Sequence, residues 1–346
     1  TANLAILSYD PNVYSKGRSP LEAMSLGLTM EPDDTAIRCN VVTLSEGDVP
    51  FGERVILDHS AGEISTEEAD ELVRALNEAL PMEGRHLYTG VSYRHCMLWK
   101  GADPTYNFAR PHDHLGEKIG AYLPKDEDGG REFREFMEKG FAVLDHHPVN
   151  ERRRAEGKNP ANAPWLWSPG RKPALPSFKE KWNLDASIVC AVDLIKGIGI
   201  CAGCEVVSVP GATGNYYTNY LGKGEAAIDA FRRGSDLVYV HVEAPDECGH
   251  QGNPVEKTSA IEKIDAEILA PVYQYLVDSG EDFKILCLPD HPTPCEKRTH
   301  TSDPVPYFLY DSRVEAAGCA FTEKTCAAMN DYNPTGHTLL SEVIEK

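Results

Sequence analysis

The sequence predicts an α/β protein, a mainly parallel sheet flanked by helices, joined to a second domain of different texture. Three observations carry this. From about residue 186, short apolar strands alternate with helical segments, the order that gives a helix-covered parallel sheet. Residues from about 46 to 185 are instead richer in Pro, His and charge. And 346 residues exceed one ordinary domain, so two cores are expected.

In chain order, Ala2–Leu7 reads as a buried segment with no leader before it, and the chain opens on Thr1 rather than Met. That beginning suggests processing or a fragment. A Gly/Pro/Arg loop at 16–20 leads into helix-compatible Leu21–Leu26, and Ile37–Leu44 is a strand. Thr66–Ala79 is an amphipathic helix with a capping hydroxyl, an acidic first turn, and an apolar stripe of Ala69, Leu72, Leu76 and Leu80. Asn159–Pro176, rich in Pro, Gly and Trp, reads as an irregular functional loop. Ala186–Val192, Asp236–Val242, Phe283–Leu288 and Val305–Tyr310 are strands; Gly224–Phe231 and Thr338–Ile344 are helices. Asn253–Val277 is a long helix, with Ile261, Ile264, Ile268, Val272 and Leu276 on one face and a kink at Pro271.

Charge and cysteines exclude several classes. A formal charge of −20 without a basic patch disfavours nucleic acid, and no apolar run is long enough for a membrane span. Ten irregularly spaced cysteines, several in apolar contexts, fit a reduced, cytoplasmic protein with buried thiols. Cys201-x-x-Cys204 lacks a second pair or a thioredoxin-like context, so burial is preferred over redox or zinc chemistry. The runs Lys125–Asp128 and Glu151–Arg154 read as solvated faces.

Metal-capable residues gather at expected strand ends. The strand at 236–242 runs into Asp246 and His250, the strand at 283–288 into Asp290 and His291, and His300 follows. In open α/β sheets, ligands bind outside the carboxyl ends of strands. Carboxylates and imidazoles without thiolate suit manganese, zinc, cobalt or magnesium. Five ligands exceed the needs of one catalytic ion, so a two-metal site for phosphoryl or hydrolytic chemistry follows. Lys196, just past the first strand of this region, is either a phosphate contact or a surface residue. The turn at 209–215 lacks phosphate-loop spacing. The middle region offers Arg94, His95, Arg110, His112, Asp113, His114, Asn162, Trp165, Trp167 and Arg171, with arginines the usual holders of a small phosphorylated acid.

These motifs resemble one family. Val242-Glu243-Ala-Pro-Asp246-Glu-x-Gly-His250, Leu288-Pro-Asp290-His291-Pro-Thr-Pro294 and Arg298-Thr-His300-Thr-x-Asp-Pro-Val-Pro306 resemble the archaeal-type cofactor-independent phosphoglycerate mutases of the alkaline phosphatase superfamily. So do Gly17-Arg18-x-Pro-Leu-Glu-Ala23, Arg38-Cys-Asn40, Trp165-Leu-Trp167, Asp193-Leu-Ile-Lys-Gly197 and Pro210-Gly-Ala-Thr-Gly214, which together cover essentially the whole chain.

The resemblance implies interconversion of 3-phosphoglycerate and 2-phosphoglycerate through a phosphoserine at two divalent metals, without 2,3-bisphosphoglycerate. Asp246, His250 and His300 would hold one ion, Asp290 and His291 the other. It implies an alkaline-phosphatase-like domain of residues 1–45 and 186–346, with 46–185 an inserted α+β substrate domain hinged near 45 and 185. His112 and Asp113 would be an acid/base and orientation pair, Arg94 and Arg171 substrate clamps, and Lys196 a phosphate contact. The nucleophilic serine and one further Asp ligand would lie upstream of Thr1, so these 346 residues alone are expected to be inactive. The alternatives are a metal-dependent phosphatase or phosphotransferase acting on another small phosphorylated acid, and a non-catalytic metal-binding protein. The expected partner is small-molecule phosphoglycerate, with oligomeric state left open.

Overall fold

The computed structural model describes residues 2–15, 17–315, 318–329 and 331–345. The chain divides into two compact units, Lys16–Pro173 and a second formed by Thr1–Ser15 with Ala174–Lys346. The division expected at 45 and 185 therefore moves to 15/16 and 173/174. The reason is hydrogen bonding: the strand ending at Leu44 pairs with strands at 94–100 and 163–171, so it belongs with them.

The unit of Lys16–Pro173 is built on a five-stranded antiparallel sheet. Its strands are β1 (Asp34–Leu44), β2 (Ile56–Asp58), β3 (Arg85–Val91), β4 (Arg94–Lys100) and β5 (Ala163–Arg171). The order is β2-β1-β4-β3, with β5 also on β1. β1 is buried almost throughout because both faces are covered. Helices Thr66–Ala79 and Arg131–Leu144 bury Leu72, Leu76, Phe133 and Phe136 with Ile37, Cys39 and Val41. The other face of β1 buries Ala36 with Ala23 of the short helix Ser19–Ser25. The Thr66–Ala79 helix has its expected bounds, but its cap is Ser65, whose hydroxyl accepts from the Glu68 N–H.

Two expectations fail in this unit. Half of the segment expected as an irregular loop is β5, held by pairing along β1 from Thr35 to Val42. And within the charged run 151–154, Arg153 is 3% exposed. Its guanidinium donates to the Asn159 carbonyl at 2.8 Å, the Ala61 carbonyl at 2.7 Å and Glu68 Oε2 at 2.6 Å. Three fixed acceptors offset its desolvation.

The second unit carries a parallel sheet of β6 (Ala186–Val189), β7 (Glu205–Val207) and β8 (Leu237–Val240), ordered β7-β6-β8. Helices Asp193–Cys201 and Tyr220–Arg232 follow β6 and β7. A separate antiparallel pair joins β9 (Lys284–Cys287) to β10 (Phe308–Asp311). Thus the strands leading to Asp246 and Asp290, expected as parallel neighbours, lie in different sheets among the described residues. The long helix is interrupted. Helix Pro254–Lys263 passes through a π-helical stretch, Ile264–Leu269, into Ala270–Ser279. The Ala270 N–H bonds the Asp265 carbonyl, one residue further back than in an α-helix, just before Pro271, whose ring and missing N–H disrupt the regular ladder. Of its expected apolar face, Ile268 is buried but Ile261 is exposed. None of the ten cysteines is in a disulfide, and Cys201 and Cys204 are buried. No helix among the described residues is long and apolar enough to cross a membrane.

Candidate functional site

In the second unit, β8 ends at Val240 and its pairing runs one residue further, where the His241 N–H donates to the Val189 carbonyl at 2.9 Å. The chain then turns into helix Ala244–Gln251, opened by Pro245 near its first turn. Four residues apart on this helix, Asp246 and His250 share a face, with His250 Nε2 at 3.4 Å from Asp246 Oδ2. β9 runs into the turn carrying Asp290 and His291, whose Nε2 lies 3.5 Å from Asp290 Oδ2. Gly249 lets that turn approach. A Cβ there would stand 2.3 Å from the Thr293 carbonyl oxygen.

The five residues expected to converge do so. His300 Nε2 lies 3.3 Å from Asp246 Oδ1 and 3.0 Å from His250 Nε2, and its ring is 3.8 Å from that of His291. Ligand atoms of Asp246, His291 and His300 all fall within 4.8 Å of one another, a grouping that crosses the expected division between two ions.

Surrounding residues hold the rings. A carbonyl only accepts, so the 3.1 Å contact of His250 Nδ1 with the Arg298 carbonyl makes Nδ1 a donor and leaves Nε2 as the ligating nitrogen of the neutral ring. The Thr293 hydroxyl donates its one proton to Asp246 Oδ1, so His291 Nδ1, 3.3 Å away, donates to the Thr293 oxygen. Asn3 donates to Asp290 Oδ2 at 3.0 Å and accepts from the Tyr239 hydroxyl. With each ring held through Nδ1, the Nε2 atoms of His250 and His291 point at carboxylates 3.4–3.5 Å away, and in the neutral imidazoles these nitrogens are free to bind a cation. The donor set fits a divalent ion.

Electrostatics at this edge are unusual. Burial, with Glu247 and Asp246 adding like charge, pushes the Glu243 carboxyl up to about 7. Burial pulls His241 down to about 4 and Lys223 down to about 8. Lys196, half-buried, pairs with Asp193 at 3.3 Å. Glu243, Lys223, Thr293 and Asn3 are functional candidates that sequence reasoning passed over. For Lys223 the available signal was its Gly222-Lys223-Gly224 setting, two small residues either side of a charge.

In the unit of Lys16–Pro173, His112 and Asp113 lie on a short turn, with His112 Nε2 at 3.5 Å from Asp113 Oδ1. The His112 ring meets Trp167 edge-on at 5.4 Å. Trp167 Nε1 donates to Asn40 Oδ1 at 2.9 Å, and the Arg38 guanidinium lies over the Trp167 ring while pairing with Glu22. Arg94 stands opposite Asn40 across β1 and β4. Arg171, in contrast, stands opposite Thr35. Five rows of β1, roughly 17 Å at about 3.3 Å per residue, separate it from Arg94. The two arginines expected as substrate clamps thus stand at different rows along β1.

The chain is similar to a named family over most of its length. The model of the family "2,3-bisphosphoglycerate-independent phosphoglycerate mutase" matches residues 1–150. A Methanosarcina mazei protein of that name is 46% identical over 310 residues, 89% of this chain and 76% of that one. A Geobacter sulfurreducens protein, named a probable member, is 42% identical over 347 residues, covering 100% and 86%. The solved structure of the cofactor-independent phosphoglycerate mutase from Thermoplasma acidophilum superposes with a TM-score of 0.67 at 26% identity, over 99% of this chain and 86% of that one. With identity this high across nearly all of its length, the chain belongs to the family of 2,3-bisphosphoglycerate-independent phosphoglycerate mutases.

Proposed function

We propose that Asp246, His250 and His300 hold one divalent ion, with Asp290 and His291 holding a second, and that phosphoglycerate is isomerised at this site. The observation that supports the reading is the convergence of His250 and His291 Nε2 on carboxylates, each ring held in place through its Nδ1. Bound divalent ions, manganese being our choice for oxygen and imidazole ligands, neutralise charge on a transferring phosphoryl group. Lys196 adds a cation for a phosphate oxygen. The unit holding the metals is read as alkaline-phosphatase-like, and Lys16–Pro173 as the part that grips the glycerate.

There, Arg94 pairs with the substrate anion and His112 moves a proton at the glycerate hydroxyl, oriented by Asp113. Arg171 is not carried forward, because a three-carbon acid does not span five strand rows. Between transfer of the phosphoryl group to the serine that the family resemblance implies and its return to the other glycerate hydroxyl, the glycerate re-orients while water is kept out, since leakage would release inorganic phosphate. The ten cysteines without disulfides fit the cytoplasm, where we place the protein.

The test has two arms. Titrating Mn²⁺ into this chain should show binding that D246N abolishes. Phosphorus NMR on the protein as its gene encodes it, given 3-phosphoglycerate and Mn²⁺ without 2,3-bisphosphoglycerate, should show 2-phosphoglycerate. Inorganic phosphate in its place would favour a phosphatase.

A further inference from the structure

Lys223 is 1% exposed, yet among the described residues its ammonium makes one hydrogen bond, to the His241 carbonyl at 3.0 Å. An ammonium has three protons to donate, and a buried one normally finds an acceptor for each. Nothing in packing alone calls for a charge there. The sequence seats it deliberately: Gly224 lets helix Tyr220–Arg232 press onto the π-helical stretch, where a Cβ would stand 2.6 Å from the Glu267 carbonyl oxygen. The residue between two glycines is thereby driven inward.

What Lys223 holds is the hinge point of the metal-binding segment. His241 is the last residue whose N–H is fixed by the sheet, to Val189, and its carbonyl is fixed by Lys223. Two residues on, Glu243 is the carboxylate whose charge acts on Lys223, and the Glu243 carbonyl accepts the Asp246 N–H at 2.9 Å. Burial pulls the Lys223 ammonium down to about 8 although Cys190 and Glu243 favour its charged form. The fold thus keeps an under-bonded charge at the start of the segment that presents Asp246.

We propose that Lys223 is a positioning residue of the metal site, retained at the expense of fold stability to fix the backbone from His241 to Asp246. This rests on the reading of Asp246, His250 and His300 as metal ligands. Residues that orient ligands without touching the metal typically change its affinity 10- to 100-fold, and exchanging a poorly paired buried charge for an apolar group of like size is neutral or stabilising.

The experiment is Mn²⁺ titration by calorimetry on the full chain, wild type against K223M, with metal-free melting curves on both. K223M should bind Mn²⁺ at least about tenfold more weakly while melting no lower than wild type. In K223A, which leaves a slot of the missing length, propylammonium should restore affinity and tetramethylammonium should not. Equal affinity in wild type and K223M overturns the role of Lys223 and leaves the metal reading standing. No Mn²⁺ uptake by the wild type overturns both. A weakened K223M that also melts lower, with no propylammonium rescue in K223A, marks Lys223 as structural and overturns the proposal.

Discussion

The Nε2 atoms of His250 and His300 face each other at 3.0 Å, and His250 has already committed its Nδ1 proton to the Arg298 carbonyl. Two imidazole edges so close to Asp246 are expected to be relieved by a cation. Mn²⁺ at a hundred times its dissociation constant should therefore raise stability by about 2.7 kcal/mol. Thermal melts with and without chelator check this. The shift should vanish in H300A and in D246N, and a shift surviving in both would move the ion elsewhere.

Thr293, 3% exposed, ties the site together by donating to Asp246 and accepting from His291. T293V keeps the shape and removes both contacts. It is expected to weaken Mn²⁺ binding about tenfold, while the metal-free fold loses only about 1 kcal/mol. Calorimetry alongside urea unfolding separates the two effects, and loss of stability without loss of affinity would contradict the tautomers assigned here.

Lys223 gives a pH dependence of defined sign. Its proton is held to 10.5 in an ordinary lysine but only to about 8 in the fold. Between those values the unfolded chain binds more protons, so stability rises with pH across that window. Below 8 the buried charge costs the fold on the order of 3 kcal/mol, at about 1.36 kcal/mol per pH unit. K223M is expected to melt above wild type at pH 7, with the gap closing between pH 8 and 10.5. A gap that ignores pH would refute this.

Arg94 and Arg171 occupy opposite ends of β1's pairing, so their substitutions should differ. R94M should raise KM for phosphoglycerate roughly 10- to 100-fold, as expected for a charge-assisted hydrogen bond worth about 1.5–3 kcal/mol. R171M should leave KM within about twofold, on the same scale. Steady-state kinetics on both variants decides, and equal effects would mean that the substrate region extends along the sheet.

Arg153 anchors its unit through the Ala61 and Asn159 carbonyls and Glu68. R153L should destabilise by about 3 kcal/mol, because buried acceptors lose their donor. Denaturant unfolding measures it; a loss below about 1 kcal/mol would show that water replaces the guanidinium.

The cluster proposed to hold metal was legible because residue type and strand-end position together narrow the chemistry, as with Asp246 and His250 just beyond β8. β5 was not, since Pro164, Pro169 and Gly170 argue against a strand. It forms because it pairs only with β1, where the register shift at Ile37/Arg38 leaves Ser168, at φ +49°, as the extra residue. Arg153 and Lys223 were hidden for a shared reason: a charged residue on a helix reads as solvated, and only tertiary acceptors reveal otherwise. Thr293 looked like an ordinary residue between two prolines. The unit boundaries escaped because β1's partners lie far along the chain, at 94–100 and 163–171.

Arg298 adopts φ +53°, a left-handed backbone that a non-glycine residue holds only when its surroundings insist. Its carbonyl aligns His250, and two residues later the same loop delivers His300. Neither imidazole can be misaligned without the other. On the proposed metal reading, a single backbone strain at Arg298 therefore sets two ligands at once, and relaxing it would loosen both grips on the ion together.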